Sequence, residues 1–137
     1  MNIKIISSLL IMSLISFNSV ALKSDTELIS QNQRPSVMEL AFLRELGPSI
    51  LDAMSAHGDL QLFTSGRIEK VIRNVQTDKY DVALRVLGYE GAINPPYKLI
   101  RITFRIPGDF PNKNRVISYE HKSITPSEFG RLSKYVD

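Results

Sequence analysis

Hydrophobic residues recur at three- and four-residue steps in the segment that follows Pro35. The recurring positions are Leu43, Leu46, Ile50 and Met54. This spacing puts them along one side of an α-helix, so we predict a helix whose apolar stripe faces the core. Ser36 and Glu39 have the spacing of an N-terminal capping box, and Gly58 is a natural C-terminal stop. Pro48 lies in the middle and cannot donate a helical hydrogen bond, so we expect a kink or a restart there.

Four strand-like runs follow the predicted helix. They are Gly66–Thr77, Tyr80–Leu87, Tyr97–Ile106 and Arg115–His121. The third alternates most clearly, and we expect Phe104, in its middle, to be fully buried against the helix. In the fourth run the alternation groups Ile117 with Tyr119 on one face. The connections are too short for crossover helices, so neighbouring strands should be antiparallel.

A second capping box, Thr125-Pro126-Ser127-Glu128, begins a short C-terminal helix or turn. One helix followed by a meander of strands buries its apolar faces most simply when the helix lies across the sheet. We therefore predict an α+β fold of cystatin-like outline. It has an N-terminal helix on a four-stranded antiparallel meander sheet and a short C-terminal helix. A cone-shaped α+β fold of the nuclear-transport-factor kind is the alternative.

The first 21 residues have the pattern of a secretory signal peptide. Lys4 supplies the positive start, Ile5–Phe17 is apolar, and Ser19-Val20-Ala21 places small residues where a signal peptidase cleaves. The apolar run is shorter than the roughly 20 residues of a membrane-spanning helix. We expect cleavage after residue 21 and a secreted chain with no membrane attachment. A flexible lead over residues 22–35 and a single domain over residues 36–137 would remain.

Composition narrows the class of function. The chain has 137 residues, no cysteine and a formal net charge of +3. The absence of cysteine excludes disulfides, a catalytic thiol and cysteine-based zinc sites. The charge is too balanced to indicate nucleic-acid binding. A zinc site would need both histidines, His57 and His121, with a carboxylate such as Asp59 or Glu120. Nothing in their spacing brings them together, so we expect neither a metal nor another cofactor.

A resemblance to a known family lies in Tyr89–Pro107, which reads YEGAINPPYKLIRITFRIP. This segment resembles the small secreted proteins of Gram-positive spore-formers catalogued as domain-of-unknown-function family 3888. The matching positions are Pro48, Glu90, Gly91, Asn94, Pro95, Pro96, Tyr97, Thr103, Phe104, Pro107, Val116, Tyr119 and His121. Ile93 and Lys98 stand where the family often has His and Gly. The resemblance implies a secreted domain with no assigned activity.

Two surfaces are candidates for ligand binding. The first is a stiff loop whose aromatic side chain could hold an extended ligand, formed by Asn94, Pro95, Pro96 and Tyr97. The second is a basic stripe on the polar side of adjacent strands, formed by Arg85, Arg101 and Arg105. Clustered positive charge attracts anionic polymers. The loop could instead only turn the chain, and the stripe could be an ordinary solvated face.

These patterns favour a secreted, non-enzymatic binding module whose partner is an anionic cell-wall polymer or an extracellular protein or peptide. One alternative is a cystatin-like inhibitor of an extracellular peptidase, which only the outline indicates. Another is a small secreted hydrolase with paired carboxylates. The acidic residues that could form such a pair are Asp52, Glu69, Asp81, Glu90 and Glu120. No motif selects two of them and no G-x-S-x-G elbow is present, so we name no catalytic residue.

Overall fold

The described part of the chain, residues 24–110 and 113–136 of a computed structural model, forms one antiparallel sheet with two helices. The elements are β1 (Ser24–Leu28), α1 (Val37–Ala56), β2 (Leu62–Asn74), β3 (Lys79–Glu90), β4 (Asn94–Phe110), β5 (Lys113–Ile124) and α2 (Pro126–Ser133). The strands lie side by side in chain order, which confirms the predicted α+β class. The predicted signal peptide lies outside the described residues.

Neither helix in the described ranges is long and apolar enough to cross a membrane.

The number of strands is a correction to the prediction, because the sheet has five strands instead of four. The additional strand, β1, lies in the segment that was predicted to be a flexible lead. It pairs antiparallel with β2 from Ser24 opposite Asn74 to Leu28 opposite Lys70. All five of its residues are exposed. Backbone hydrogen bonds and not an apolar face hold this strand, so no hydrophobic alternation marks it in the sequence.

Helix α1 has nearly the predicted bounds. The Ser36 hydroxyl accepts a hydrogen bond from the backbone N–H of Glu39 at 3.0 Å, which satisfies one free donor of the first turn. His57 is the C-cap residue, and Pro48 lies inside this single helix. The predicted apolar stripe faces the core, where Leu46, Ile50 and Met54 are buried and Leu43 is partly buried.

The two helices cover opposite faces of the sheet. Alternate residues of β3 and β4 pack against α1, on what we call the α1 face; they are Val82, Leu84, Val86, Ile100, Ile102 and Phe104. Phe104 is 1% exposed, which confirms its predicted burial. Leu87 and Leu99 form a second cluster with Phe129 and Leu132. Successive side chains on a strand point to opposite faces, so α2 lies on the other side, the α2 face.

The pairing of β4 with β5 corrects the predicted orientation of the last strand. Thr103 lies opposite Ser118, whereas Phe104 lies opposite Val116, so Ile117 is an extra residue in a bulge. Val116 and Tyr119 both pack against the α1-face core, and Ile117 is exposed. The predicted grouping of Ile117 with Tyr119 is therefore wrong. The bulge directs Tyr119 toward the C-terminal end of α1.

Candidate functional site

A groove of about 430 Å³ opens on the α2 face, between the sheet and the C-terminal segment. Its lining includes Glu69, Arg85, Arg101, Arg131, Lys134 and Tyr135. Four of these side chains are cationic and one is a carboxylate. We call this the basic groove, because its charge is predominantly positive.

Arg85 is the most buried cation of the basic groove, with 5% of its surface exposed. It lies opposite Arg101 in the β3–β4 register. Its guanidinium donates to the carbonyl oxygens of Leu132 at 3.1 Å and Ser65 at 3.4 Å. In the part of the chain that the structure describes, no carboxylate lies within 4.0 Å of its nitrogens. Backbone carbonyls therefore fix the position of Arg85 without neutralising its charge.

The electrostatics of the groove follow from this burial. Loss of solvent lowers the pKa of Arg85; the nearby Glu69 acts in the opposite direction, and Arg67, Arg101 and Arg131 lower the pKa further. A buried charge is costly unless an opposite charge or hydrogen bonds compensate it. An anion that enters the groove would supply the missing opposite charge.

The structure separates the three arginines of the predicted basic stripe. Arg101 donates to Glu69 at 2.9 Å at the rim of the basic groove. Arg105 donates to both carboxylate oxygens of Asp81, at 2.8 and 2.9 Å, in a bidentate pair. Arg85 and Arg101 therefore share the groove, whereas Arg105 is paired elsewhere on the same face.

Sequence reasoning missed Arg131 and Lys134, which complete the groove. They belong to the C-terminal segment, and their position depends on how α2 packs on the sheet. The capping box of α2 was predicted and is present, with Thr125 and Glu128 bonded to each other's backbone. A signal for the groove was available in the basic residues at the C-terminal end of this helix, but only the packing of α2 shows which sheet residues they face.

The proline–tyrosine segment forms the start of β4. Its exposed residues are Asn94, Pro95 and Pro96, and the Pro95–Pro96 peptide bond is cis. Tyr97 turns toward the protein, because its ring stacks on Phe129 of α2 with a centroid distance of 4.2 Å. Its hydroxyl donates to the carbonyl oxygen of Ile93 at 3.0 Å. Tyr97 thus helps to hold α2 on the sheet, and ligand binding by this segment stays a prediction.

A second group of polar side chains, which we call the Asp59 cluster, consists of Asp59, Lys98, Tyr119 and His121. The Asp59 side chain is 1% exposed. Its Oδ1 accepts a hydrogen bond from Lys98 Nζ at 2.5 Å. Its Oδ2 accepts one from the Tyr119 hydroxyl at 2.5 Å and one from His121 Nδ1 at 2.6 Å. One buried carboxylate therefore receives three donors.

The fold explains why these four residues meet. Gly58, at a φ of 81°, turns the chain out of α1 and leaves Asp59 facing the sheet. Lys98, Tyr119 and His121 lie on the α1 face of the paired strands β4 and β5. They are 39, 60 and 62 positions from Asp59 along the chain. No local spacing in the sequence signals a cluster of this kind.

The charge state of the cluster follows from its contacts. Burial raises the pKa of Asp59, but the hydrogen bonds from Lys98, Tyr119 and His121 outweigh burial and hold this pKa at about 2. Burial and the bond to Asp59 raise the pKa of Tyr119 well above its usual range. At neutral pH Asp59 is thus an ionised acceptor and Tyr119 a neutral donor. His121 must donate from Nδ1, which leaves the lone pair of the neutral ring on Nε2.

His57 joins this region through Tyr119. The two rings are stacked, with centroids 3.9 Å apart and planes 8° from parallel. His57 Nδ1 is bonded to the carbonyl oxygen of Ala53 at 2.8 Å, whereas His121 is bonded to Asp59. Among the described residues, no three His, Asp or Glu side chains lie close enough together to hold a metal ion.

We expect the folded protein to lose stability as the pH falls from about 4 toward about 2. The folded pKa of Asp59, about 2, lies below the ordinary value of 3.8. The ionised carboxylate therefore stabilises the fold fully above the unfolded pKa, and this contribution is lost as the pH falls through the folded pKa. The shift corresponds to about 2 kcal/mol. Urea unfolding at about pH 6 and about pH 2.5 measures the loss.

Asp59→Asn should lack this part of the pH dependence, since no carboxylate remains to titrate. Asp52→Asn removes an exposed carboxylate from α1 and should retain it. Equal pH dependence in the wild type and Asp59→Asn would contradict the role given to Asp59.

The chain matches no protein-family model, no curated protein and no solved structure. The resemblance of Tyr89–Pro107 to family 3888 stays a prediction.

Proposed function

We propose that the protein is an exported module that binds an anionic ligand in the basic groove. One observation carries this proposal. Arg85 is a buried guanidinium that no carboxylate of the described chain neutralises, and three further cations, Arg101, Arg131 and Lys134, line the same groove. Buried charges in proteins are usually paired. A groove with an uncompensated buried cation is suited to a ligand that brings the opposite charge.

The ligand that we propose is an anionic polymer of the cell wall. Arg85 offers a fixed planar donor group that matches the oxygens of a phosphate or carboxylate. Arg101, Arg131 and Lys134 are exposed, so they can contact further charges along the same polymer chain. Export, which residues 1–21 predict, would place the protein beside such a polymer. An acidic segment of an extracellular protein or peptide could use the same contacts, and the experiment below distinguishes it.

Co-sedimentation of the mature chain with purified Gram-positive cell walls tests this function. We expect Arg101→Glu to abolish most of the retention, because it reverses a charge at the rim of the groove. Arg105→Glu is the matched control, because Arg105 lies on the same strand and face and is also paired with a carboxylate, but outside the groove. High salt should release the wild type, since the Debye length falls from about 10 Å at 0.1 M to about 3 Å at 1 M.

Each other outcome has a defined meaning. Equal loss in Arg101→Glu and Arg105→Glu would assign the attraction to the whole α2 face and not to the groove. Loss in Asn94→Ala with tolerance of Arg101→Glu would favour the proline–tyrosine segment. If the wild type does not sediment at low salt but binds polyglutamate, the ligand is an acidic peptide and not a wall polymer. Failure to bind either probe would overturn the proposal.

The other two functions stay predictions. The peptidase-inhibitor function depends on the cystatin-like outline of one helix on a meander sheet, and such an outline does not define a site. For the hydrolase with paired carboxylates, two of the acidic residues considered, Glu69 and Asp81, are each bonded to an arginine. These two carboxylates are therefore already engaged with arginine side chains.

A further inference from the structure

The Asp59 cluster holds His121 in the tautomer that a nucleophile needs. Asp59 is ionised and can only accept, so the 2.6 Å contact between its Oδ2 and His121 Nδ1 requires a proton on Nδ1. The neutral ring then has its lone pair on Nε2. The side chain of His121 is 47% exposed although Asp59 is buried. Nδ1 faces the buried carboxylate, so Nε2, on the opposite side of the ring, is not engaged by Asp59.

We propose that His121 is a nucleophile for acyl transfer, with Asp59 as its positioning residue. In the first step, the Nε2 lone pair forms a bond to the acyl carbon of an ester. The bond from that carbon to the alcohol oxygen breaks, and the leaving alkoxide takes a proton from solvent. Nδ1 keeps its proton and its bond to Asp59. The positive charge of the acyl-imidazolium thus forms beside a carboxylate that is already in place.

The second step returns His121 to its starting form. Water bonds to the acyl carbon, the carbon–nitrogen bond breaks, and its electron pair returns to Nε2. The surplus proton of the water passes to solvent, so the net reaction converts an ester and water into an acid and an alcohol. This activity lies on the α1 face and is independent of the basic groove on the other side of the sheet.

Lys98 adds a cation at the same carboxylate. Its ammonium has three donors, and the bond to Asp59 Oδ1 uses one of them. The side chain is partly exposed, so its remaining donors stay available to a ligand. Tyr119 differs, because its only proton is committed to Asp59. We therefore assign Tyr119 to holding Asp59 and not to proton transfer.

His57 is a comparison that the chain itself provides. Its Nδ1 contacts the carbonyl oxygen of Ala53, so its neutral ring has the same tautomer as His121. It has no carboxylate partner within salt-bridge distance among the described residues. Positive charge that forms on His57 would face a neutral carbonyl group. If the ionised carboxylate of Asp59 is what activates a histidine as a nucleophile, His121 should react and His57 should not.

Hydrolysis of p-nitrophenyl acetate near neutral pH tests the proposal. His121→Gln should reduce the release of nitrophenolate to the background given by surface lysines, and His57→Gln should leave the wild-type rate unchanged. Asp59→Asn should lower the rate by about 10- to 100-fold, the range found when a metal-binding histidine loses its carboxylate partner. Mass spectrometry of acid-quenched protein should find the transient acetyl group on the peptide that contains His121.

A spectroscopic measurement separates positioning by Asp59 from a structural role. Nitrogen-15 NMR of the wild-type ring, at a pH high enough for the ring to be neutral, should show a protonated Nδ1 and an unprotonated Nε2. Tyr119→Phe removes one donor that holds Asp59 but keeps the Asp59–His121 bond, so it should preserve this pattern and lower the hydrolysis rate less than Asp59→Asn does. A wild-type rate equal to that of His121→Gln, or a proton on Nε2 of the neutral ring, would overturn the proposal. Neither result depends on whether Asp59→Asn folds.

Discussion

Phe104→Ala is expected to reduce the free energy of unfolding by about 3–5 kcal/mol, the usual cost of truncating a buried phenylalanine. Phe104 is 1% exposed and belongs to the core between α1 and the sheet. Its neighbours in register are Val82 on β3 and Val116 on β5. Truncation removes apolar area from the core and leaves a cavity that these strands, fixed by their hydrogen bonds, cannot close.

Urea unfolding of the wild type and the variant measures this loss. Ile117→Ala is a suitable control, because it also truncates a large apolar side chain, but at the exposed bulge of β5. Surface substitutions usually change stability by about 0.5 kcal/mol or less. A loss below about 1 kcal/mol in Phe104→Ala would mean that Phe104 does not anchor the core.

The helices and four of the strands could be predicted because each carries a local signal. The stripe of Leu46, Ile50 and Met54 has the helical period, and Ser36 marks the start of α1. The alternation around Phe104 identifies the buried face of β4. Strand β1 has no such signal, since an edge strand with five exposed residues needs no apolar face. Its existence depends on the free backbone groups of β2, which a sequence pattern does not display.

The basic groove could be predicted in part. Arg85 and Arg101 both occupy polar positions in the alternating patterns of neighbouring strands, and in the structure they lie directly opposite each other. The burial of Arg85 could not be predicted, because it results from the packing of α2 over this face. Arginine is usually exposed, so an alternating pattern suggests a solvated stripe. Arg105 keeps that solvated character and is paired with Asp81.

The Asp59 cluster lay beyond sequence reasoning for a different reason. Its side chains come from the end of a helix and from two strands, and only the strand register brings them together. The bulge at Ile117 decides which face Tyr119 occupies. Simple alternation does not reveal a bulge, so the relation of His121 to Asp59 was not visible. Nothing in the spacing of the two histidines brings them together, yet both pack against the Tyr119 ring.

The sequence pattern also did not reveal a buried ion pair that joins three segments of the fold. Arg67 is 1% exposed, and its Nε donates to Glu39 Oε1 at 3.0 Å. Its terminal nitrogens donate to the carbonyl oxygens of Ser30 at 2.8 Å and Gln33 at 2.9 Å. The same Glu39 oxygen accepts the backbone N–H of Ile68 at 2.9 Å. The pair therefore connects the first turn of α1, strand β2 and the chain that follows β1.

Glu39→Ala is expected to destabilise the protein by about 3–5 kcal/mol, because it leaves the charge of Arg67 buried without its partner. It also removes the acceptor of the Ile68 N–H, whereas the cap at Ser36 survives, since that bond uses the backbone of residue 39. Glu39→Gln, which keeps the shape and one acceptor oxygen, should cost less.

Urea unfolding of Glu39→Ala, Arg67→Met and the double variant measures the coupling between the two side chains. We expect the double variant to be more stable than the two single losses predict, by about 1–3 kcal/mol. Strictly additive losses would show that the two side chains stabilise the fold independently.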